Sequence, residues 1–364
     1  MSADQLLIAL MALFAVLGAL DRIFGGRFGI GREFESGILT MGSLALAMVG
    51  IVCLAPVLAA VLRPVVVPVF RLLGADAAMF AGSILACDMG GGALARELTQ
   101  NADAAALGGV ITGSMLGATV VFTIPVAMGI LDEGDRPAMA KGILCGIITI
   151  PVGVLVGGLV AGFPLAMVAQ NLIPIVILAA LIALGLWQAE KAMVRGFELF
   201  GKGVVAVSTA GLAAAIAQSL TGWTIIPGMA PIADGFQTVG SIAIVLAGAF
   251  PLVAILTRLL RKPLLAAGKY LGINDAAAAG LIASLANSIA TFGMVKDMNP
   301  RGKVVNIAFA VSAAFVFGDH LGFTAGFAPE LLPAVILGKL SGGVSAVLVA
   351  LLLTAKEGDS TKRS

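Results

Sequence analysis

Two carboxylates lie deep within apolar stretches of the sequence, where an acidic side chain carries a large free-energy cost. Asp88 falls in the run Ala86–Gly92, and Asp319 precedes His320 between two glycines. A charged side chain at the centre of a membrane helix costs about 2.5–3.5 kcal/mol on insertion scales, so such residues usually mark a functional site. The pair predicts a cation site in which one or both carboxylates hold a substrate ammonium.

Each acid also has a structural interpretation, which is compatible with cation binding. Asp88 could cap a hairpin by accepting backbone N–H groups from residues 90–92, and Asp319 could pair with His320 to lock a broken helix. His320 is the single histidine of the chain, which excludes a multi-histidine metal cage. It offers a proton relay, but we expect no metal and no cofactor.

Polar and aromatic residues near the two acids would complete such a site. Asn287 and Ser288 interrupt a second apolar run and could bind a hydroxyl group. Phenylalanine faces offer cation–π contacts of about 0.5–2 kcal/mol, although plain apolar filling is the commoner role. The predicted binding residues are Asp88, Met89, Gly90, Asn287, Ser288, Phe292, Phe317, Asp319 and His320.

The composition shows that these residues must be positioned by membrane helices. The chain has 364 residues, of which 60% are hydrophobic and 12% are charged. That charged fraction is about half of the usual quarter in soluble domains, which excludes a soluble enzyme and a nucleic-acid-binding protein. Three cysteines, Cys53, Cys87 and Cys145, fit no metal or redox spacing.

Eleven apolar segments are separated by short connections, and none of these connections is long enough for a soluble domain. They cover residues 5–21, 38–62, 76–95, 106–131, 142–164, 166–188, 203–221, 234–260, 274–295, 304–328 and 332–354.

An internal repeat relates the two halves of the chain at a shift of 198 residues. It matches Gly42-Ser43 to Gly240-Ser241, for example, and the starts of five segments in each half correspond. Residues 1–164 therefore form a first repeat, 165–202 a linker helix with a basic loop, 203–355 a second repeat, and 356–364 a cytoplasmic tail. Two such halves are typical of secondary transporters.

The positive charges indicate that segments 76–95 and 274–295 are re-entrant hairpins. If both enter and leave by one face, 18 of the 22 Lys and Arg residues fall on one side: Arg22, Arg27, Arg32, Arg136, Lys141, Lys191, Arg195, Lys202, Arg258, Arg261, Lys262, Lys269, Lys296, Arg301, Lys303, Lys356, Lys362 and Arg363. Since cytoplasmic loops carry the excess of Lys and Arg, the N-terminus lies outside and the C-terminus inside. Arg63, Arg71 and Arg96 are left outside, with Lys339 near the membrane edge.

The predicted fold is an all-α polytopic membrane protein with two inverted five-element repeats, about nine spanning helices and two hairpins.

Four stretches resemble the ethanolamine-utilisation permease family, EutH. They are residues 80–91, 278–287, 296–303 and 306–325, and the similarity runs from about Asp21 to the last helix. The chain departs from the family pattern at Gly92, Ser288 and Ala290. The resemblance implies a bacterial inner-membrane carrier for ethanolamine, which feeds an ammonia-lyase pathway in a microcompartment.

The residues and the resemblance lead to the same expected function. Ethanolamine is a small cation at neutral pH, and facilitated uptake driven by its gradient and the membrane potential needs no co-ion. Two alternatives remain: an ion-coupled symporter of another small amine or amino acid, and an intramembrane enzyme or microcompartment scaffold. The expected partners are the amine and the lipid bilayer, with no nucleic acid, and a homo-oligomer is compatible with the sequence.

Overall fold

The computed structural model describes residues 2–355, and this part of the chain is helical with no β-strand. The predicted cytoplasmic tail, residues 356–364, lies outside the described residues. Between its first and last described residues the chain forms α1 Ala3–Ile23, α2 Gly31–Leu44, α3 Gly50–Leu72, α4 Ala78–Ile84, α5 Gly91–Leu98, α6 Ala102–Ala105, α7 Ile124–Ile130, α8 Arg136–Val160, α9 Leu165–Thr221, α10 Ile232–Leu271, α11 Asp275–Ala286, α12 Ser288–Met294, α13 Pro300–Ala313, α14 Asp319–Phe327 and α15 Leu332–Leu353.

Seven helical stretches of the described chain are long and apolar enough to cross a bilayer: Ala3–Ile23, Gly31–Leu72, Ala102–Ile130, Glu133–Val160, Leu165–Thr221, Ile232–Leu259 and Pro329–Leu353. The protein is therefore a multi-pass membrane protein, and the prediction of an all-helical membrane fold is confirmed. The seven stretches are fewer than the eleven predicted segments, because some predicted segments are joined into one helix and others are divided into short helices. Helix α9 contains two predicted segments and is bent at Ala189 (φ −142°, ψ 47°), while the segment 304–328 is divided between α13 and α14.

Two of the predicted segments form pairs of short helices that pack against each other. Helices α4 and α5 have 7 and 8 residues, and α11 and α12 have 12 and 7. At a rise of about 1.5 Å per residue, every one of them is too short for a hydrocarbon core about 30 Å thick. In the second pair, the Thr291 hydroxyl bonds the Gly280 carbonyl oxygen at 2.9 Å and lies 2.8 Å from the Ser284 hydroxyl.

Wide π-helical turns interrupt two of the long helices. Residues Ala45–Val49 are π-helical between α2 and α3, and Ala106–Gly117 and Thr119–Thr123 are π-helical between α6 and α7. Such turns shift the side chains that follow them and are frequent at functional sites. Both regions lie beside the first short pair, because α4 packs on Ala106–Gly117 and the turn Cys87–Met89 contacts Ala45–Val49.

Glycines bring helices α8 and α15 close together. Helix α15 packs along α8, and a Cβ on Gly338 would lie only 2.8 Å from the Gly153 carbonyl oxygen. A Cβ on Gly342 would lie 3.4 Å from the Gly153 Cα. This close approach carries residues in the middle of α15 into the interior of the protein.

Candidate functional site

The turn between α4 and α5 presents Asp88 to the interior. The backbone is extended at Ala86, forms one 3₁₀ turn over Cys87–Met89, and then adopts the left-handed region at Gly90 (φ 92°). A Cβ at Gly90 would lie 2.0 Å from a methyl group of Ile51, so only glycine fits this turn. The N-cap of helix α5 is Gly90, and none of the side-chain hydrogen bonds of the described residues joins the Asp88 carboxylate to an N–H group of residues 90–92.

The interruption between α13 and α14 is stabilised by the end of α11. The Phe315 N–H donates to the Ser284 carbonyl oxygen at 3.0 Å, and the Phe317 N–H donates to the Leu285 carbonyl oxygen at 2.8 Å. These bonds replace helical ones in a non-helical stretch. Phe315 has a φ of 61°, the one positive value for a non-glycine residue within residues 2–355.

Asp319 and His320 follow this interruption and begin α14. The preceding residue, Gly318, packs closely against the end of α11, because a Cβ on Gly318 would lie 2.2 Å from the Ala286 carbonyl oxygen. The tip of the second short pair therefore holds the start of α14 in place. Asp319 and His320 are directed toward the tip of the first pair as a result.

Asp88, Asp319 and His320 line one cavity with a volume of about 200 Å³. Four parts of the chain contribute to it: the π-helical turn after α2, the turn between α4 and α5, the π-helical region before α7, and the interruption before α14. Its lining residues are Ser43, Leu44, Ala47, Ala86, Asp88, Met89, Ala118, Phe122, Phe315, Asp319 and His320. The lining holds two carboxylates and neither lysine nor arginine.

The histidine of the cavity interacts across elements and not with its neighbour in sequence. His320 Nε2 lies 3.7 Å from Asp88 Oδ1, with exposed side-chain fractions of 4% and 13%. His320 Nδ1 has no hydrogen-bond partner. The interpretation of Asp319 and His320 as a locking pair is thus replaced by a contact between α14 and the turn after α4.

Two phenylalanine rings form an aromatic wall of the cavity. The ring centroids of Phe122 and Phe315 are 5.5 Å apart in an edge-on arrangement, and Phe315 lies 5.3 Å from the His320 ring. Beside two carboxylates, aromatic faces favour an organic cation over an anion or a neutral solute.

Four of the predicted site residues lie elsewhere in the structure. Asn287 caps α12, accepting the Ile289 N–H at 2.7 Å, and Ser288 is buried with no hydrogen-bond partner for its hydroxyl. Phe292 is buried in the hydrophobic core, and Phe317 is half-buried and packs against that core. Met89 lines the cavity, whereas Gly90 shapes the turn beside it.

Sequence reasoning missed several residues at and near the cavity. Ser43 could have been found from its repeat match with Ser241, but Phe122 and Phe315 carry no signal that separates them from the other phenylalanines. Lys339, which the sequence places near the membrane edge, is buried inside the protein at 1% exposure and donates from Nζ to the Ser114 carbonyl oxygen at 2.5 Å. Glycine packing of α15 explains its burial.

The surroundings of Gly92 fit a residue without a side chain. A Cβ on Gly92 would lie 2.8 Å from the ring of Phe323 and 3.1 Å from that of Phe327. These two rings are stacked, with centroids 4.7 Å apart. The space beside residue 92 is therefore already filled by aromatic side chains of α14.

The fold and the cavity define a polytopic helical membrane protein with a buried cavity that is lined by two carboxylates. The chain belongs to the EutH family, because the model described as ethanolamine utilisation protein, EutH, matches residues 3–353. The resemblance seen in the sequence motifs is thus confirmed.

Three relatives show how closely the chain follows this family. A protein from Listeria monocytogenes named probable ethanolamine permease EutH is 58% identical over 353 residues, which cover 97% of this chain and 95% of the relative. A protein of the same name from Escherichia coli is 48% identical and covers 98% and 97% of the two chains. The Bacillus subtilis protein YxeR is 49% identical over 97% and 96%. No solved structure matches the chain.

Proposed function

We propose that this protein is a carrier of the bacterial inner membrane that takes up ethanolamine in its ammonium form. The observation that carries the proposal is the meeting of Asp88 and Asp319, from two separate helix interruptions, in one buried cavity without a basic lining residue. The relatives named as probable ethanolamine permeases support this choice of substrate. They are named as permeases, which also argues against an enzyme.

Substrate recognition follows from the chemistry of the lining. Asp88 and Asp319 hold the ammonium group through charge-assisted hydrogen bonds, and the Phe315 ring covers its C–H surface. The Ser43 hydroxyl donates to the Thr40 carbonyl oxygen at 2.9 Å, so its lone pairs can accept the substrate hydroxyl. His320 is the second candidate for that contact. We retain Asn287, Ser288, Phe292 and Phe317 as residues that enter the site only in another conformation of the carrier.

The membrane potential supplies the driving force in this proposal. An inward-moving monovalent cation gains about 2.3 kcal/mol per 100 mV, which corresponds to about fiftyfold accumulation. Uptake of labelled ethanolamine into proteoliposomes, with an imposed potential that is negative inside, tests the proposal. Saturable uptake that rises with the potential supports it, and uptake no greater than in protein-free liposomes refutes it. A requirement for sodium or a proton gradient would instead favour the ion-coupled symporter.

The proposed architecture has two inverted repeats joined by a linker helix within residues 165–202. Support comes first from the element bounds, because α6 at Ala102 and α13 at Pro300 begin exactly one shift of 198 residues apart. The caps agree as well. Asn101 accepts the N–H of Ala104 at 3.1 Å, and Asn299 accepts that of Gly302 at 3.0 Å.

Reciprocal close approaches between the halves further support the repeat. A Cβ on Gly37 would lie 2.4 Å from the Ala247 nitrogen, and a Cβ on Gly235 would lie 2.7 Å from the Val49 side chain. The two contacts are related by the shift of 198 residues, because Gly37 corresponds to Gly235 and Val49 corresponds to Ala247. Such exchange is the expected contact pattern of two halves related by a pseudo-twofold axis.

The proposed topology places the N-terminus outside, the C-terminus in the cytoplasm, and both short pairs as re-entrant hairpins. Arg63 and Arg96 then lie at the outer face, where Arg96 Nη2 donates to the Phe327 carbonyl oxygen at 3.0 Å. Labelling with a membrane-impermeant thiol reagent tests this arrangement. Arg63→Cys and Arg96→Cys should react from outside, and Lys191→Cys only after the membrane is opened. Reaction of the two arginine positions from opposite sides would exclude the first hairpin.

A further inference from the structure

A buried lysine lies beside the acidic cavity without forming part of its lining. Lys339 stands in the middle of α15 and is 1% exposed. Its hydrogen bond goes to the neutral Ser114 carbonyl oxygen, and no carboxylate of the described residues forms a contact ion pair with it. A buried ammonium group is costly unless charges in its surroundings compensate it.

The compensating charge belongs to the cavity. The Asp88 carboxylate attracts the Lys339 ammonium, whereas a protonated His320 would be repelled by it. The packing explains why. Ser114 follows Gly113, and a Cβ on Gly113 would lie 3.1 Å from the Cys87 nitrogen. The π-helical segment thus holds Lys339 behind the turn that carries Asp88.

The cavity also contains a set of donor atoms that a divalent metal could use. One donor atom each from Cys87, Asp88 and His320 lie within 4.8 Å of one another. Thiolate, carboxylate and imidazole are the ligands of zinc sites. A second buried cation next to this set would oppose the binding of any doubly charged ion.

We propose that Lys339 sets the net charge of the site to −1 and thereby makes it selective for monoammonium substrates over dications. The proposal rests on the proposed uptake of ethanolamine through the Asp88–Asp319 cavity. Both carboxylates are taken as ionised (−2), Lys339 as protonated (+1), and His320 and the thiol as neutral. One monovalent cation neutralises this site, whereas a diamine or a divalent metal leaves an excess positive charge in a medium of low dielectric constant.

Competition between ethanolamine and diaminopropane tests the inference in proteoliposomes. Diaminopropane has a similar chain but carries two charges at neutral pH. The wild-type protein should take up labelled ethanolamine and resist inhibition by diaminopropane. Lys339→Gln leaves a site of charge −2, so the ratio of the two apparent affinities should shift toward the diamine by about tenfold or more. Lys339→Arg keeps the charge and should keep the wild-type ratio.

Two further variants separate charge from folding. Lys141→Gln removes the same charge at the repeat-related position, where the side chain is exposed, and should leave the ratio unchanged. Asp88→Asn combined with Lys339→Gln restores a net charge of −1 and should recover the wild-type ratio of the two apparent affinities, while the affinity for ethanolamine itself falls with the loss of Asp88.

Each outcome decides a separate question. Absence of ethanolamine uptake by the wild-type protein would overturn the proposed function itself. Normal uptake with strong diaminopropane inhibition of the wild type would overturn the charge proposal alone, even if Lys339→Gln fails to fold. An unchanged ratio in a folded Lys339→Gln variant would do the same.

Discussion

Neutralising Asp88 should weaken ethanolamine binding by about two orders of magnitude. An ammonium about 4 Å from the carboxylate contributes about 4 kcal/mol at an effective dielectric constant of about 20. The amide oxygen of Asp88→Asn still accepts a hydrogen bond and retains about 1 kcal/mol. The net loss of about 3 kcal/mol corresponds to about a 150-fold rise in the apparent Michaelis constant. Asp88 is suited to this test because its side chain is only 13% exposed and lies 3.7 Å from His320 Nε2 in the same cavity.

Initial rates of labelled ethanolamine uptake into proteoliposomes provide the assay. Asp103→Asn is a matched control, since Asp103 is an exposed carboxylate in the first turn of α6, and its Michaelis constant should stay within about twofold of the wild-type value. Equal amounts of folded protein are established by size-exclusion chromatography before reconstitution. A Michaelis constant for Asp88→Asn that matches the control would refute the assignment of Asp88 as an ammonium ligand.

Two further predictions concern the fold that positions the site. Gly90→Ala places a side chain at φ 92° against Ile51 and should lower the thermal stability in detergent by the equivalent of about 1–3 kcal/mol. Gly203→Ala, with open space around it, should not, so an equal loss in both variants would contradict this account of the turn. Asn101→Ala and Asn299→Ala should each cost about 1 kcal/mol of stability. A clear effect of only one of the two would argue against equivalent caps in the two halves.

The sequence was sufficient to predict the class of fold and the two acids. Apolar length and scarce charge indicate membrane helices, and the cost of burying Asp88 and Asp319 singles them out among 20 acidic residues. Hairpin length and the distribution of arginines and lysines indicated short paired helices at residues 76–95 and 274–295. Helices α4 with α5 and α11 with α12 have that form.

The partners of the two acids depended on tertiary contacts that a linear pattern does not encode. His320 follows Asp319 directly, yet it contacts Asp88 because the α13–α14 interruption is bonded to the end of α11. The same bonds place Phe315, and not Phe317, in the cavity lining. Asn287 is polar and lies at a predicted tip, but its side chain caps α12.

The burial of Lys339 is a second feature that depends on tertiary packing and that the sequence does not predict. Sequence position alone put this lysine near the membrane edge, since it follows the start of α15 by seven residues. The glycines of α8 and α15 draw the two helices so close that Lys339 reaches the Ser114 carbonyl oxygen. The sequence thus shows that a lysine is present, but whether its side chain is buried inside the protein depends on helix packing.

A structure of the protein with ethanolamine bound would decide whether Asp88 and Asp319 bind the ammonium group. We expect density for the four non-hydrogen atoms of the ligand in the cavity, with the ammonium nitrogen within hydrogen-bond distance of Asp88 and Asp319 and beside the Phe315 ring. Density at another site, with the Asp88–Asp319 cavity holding only water at saturating ethanolamine, would contradict this expectation.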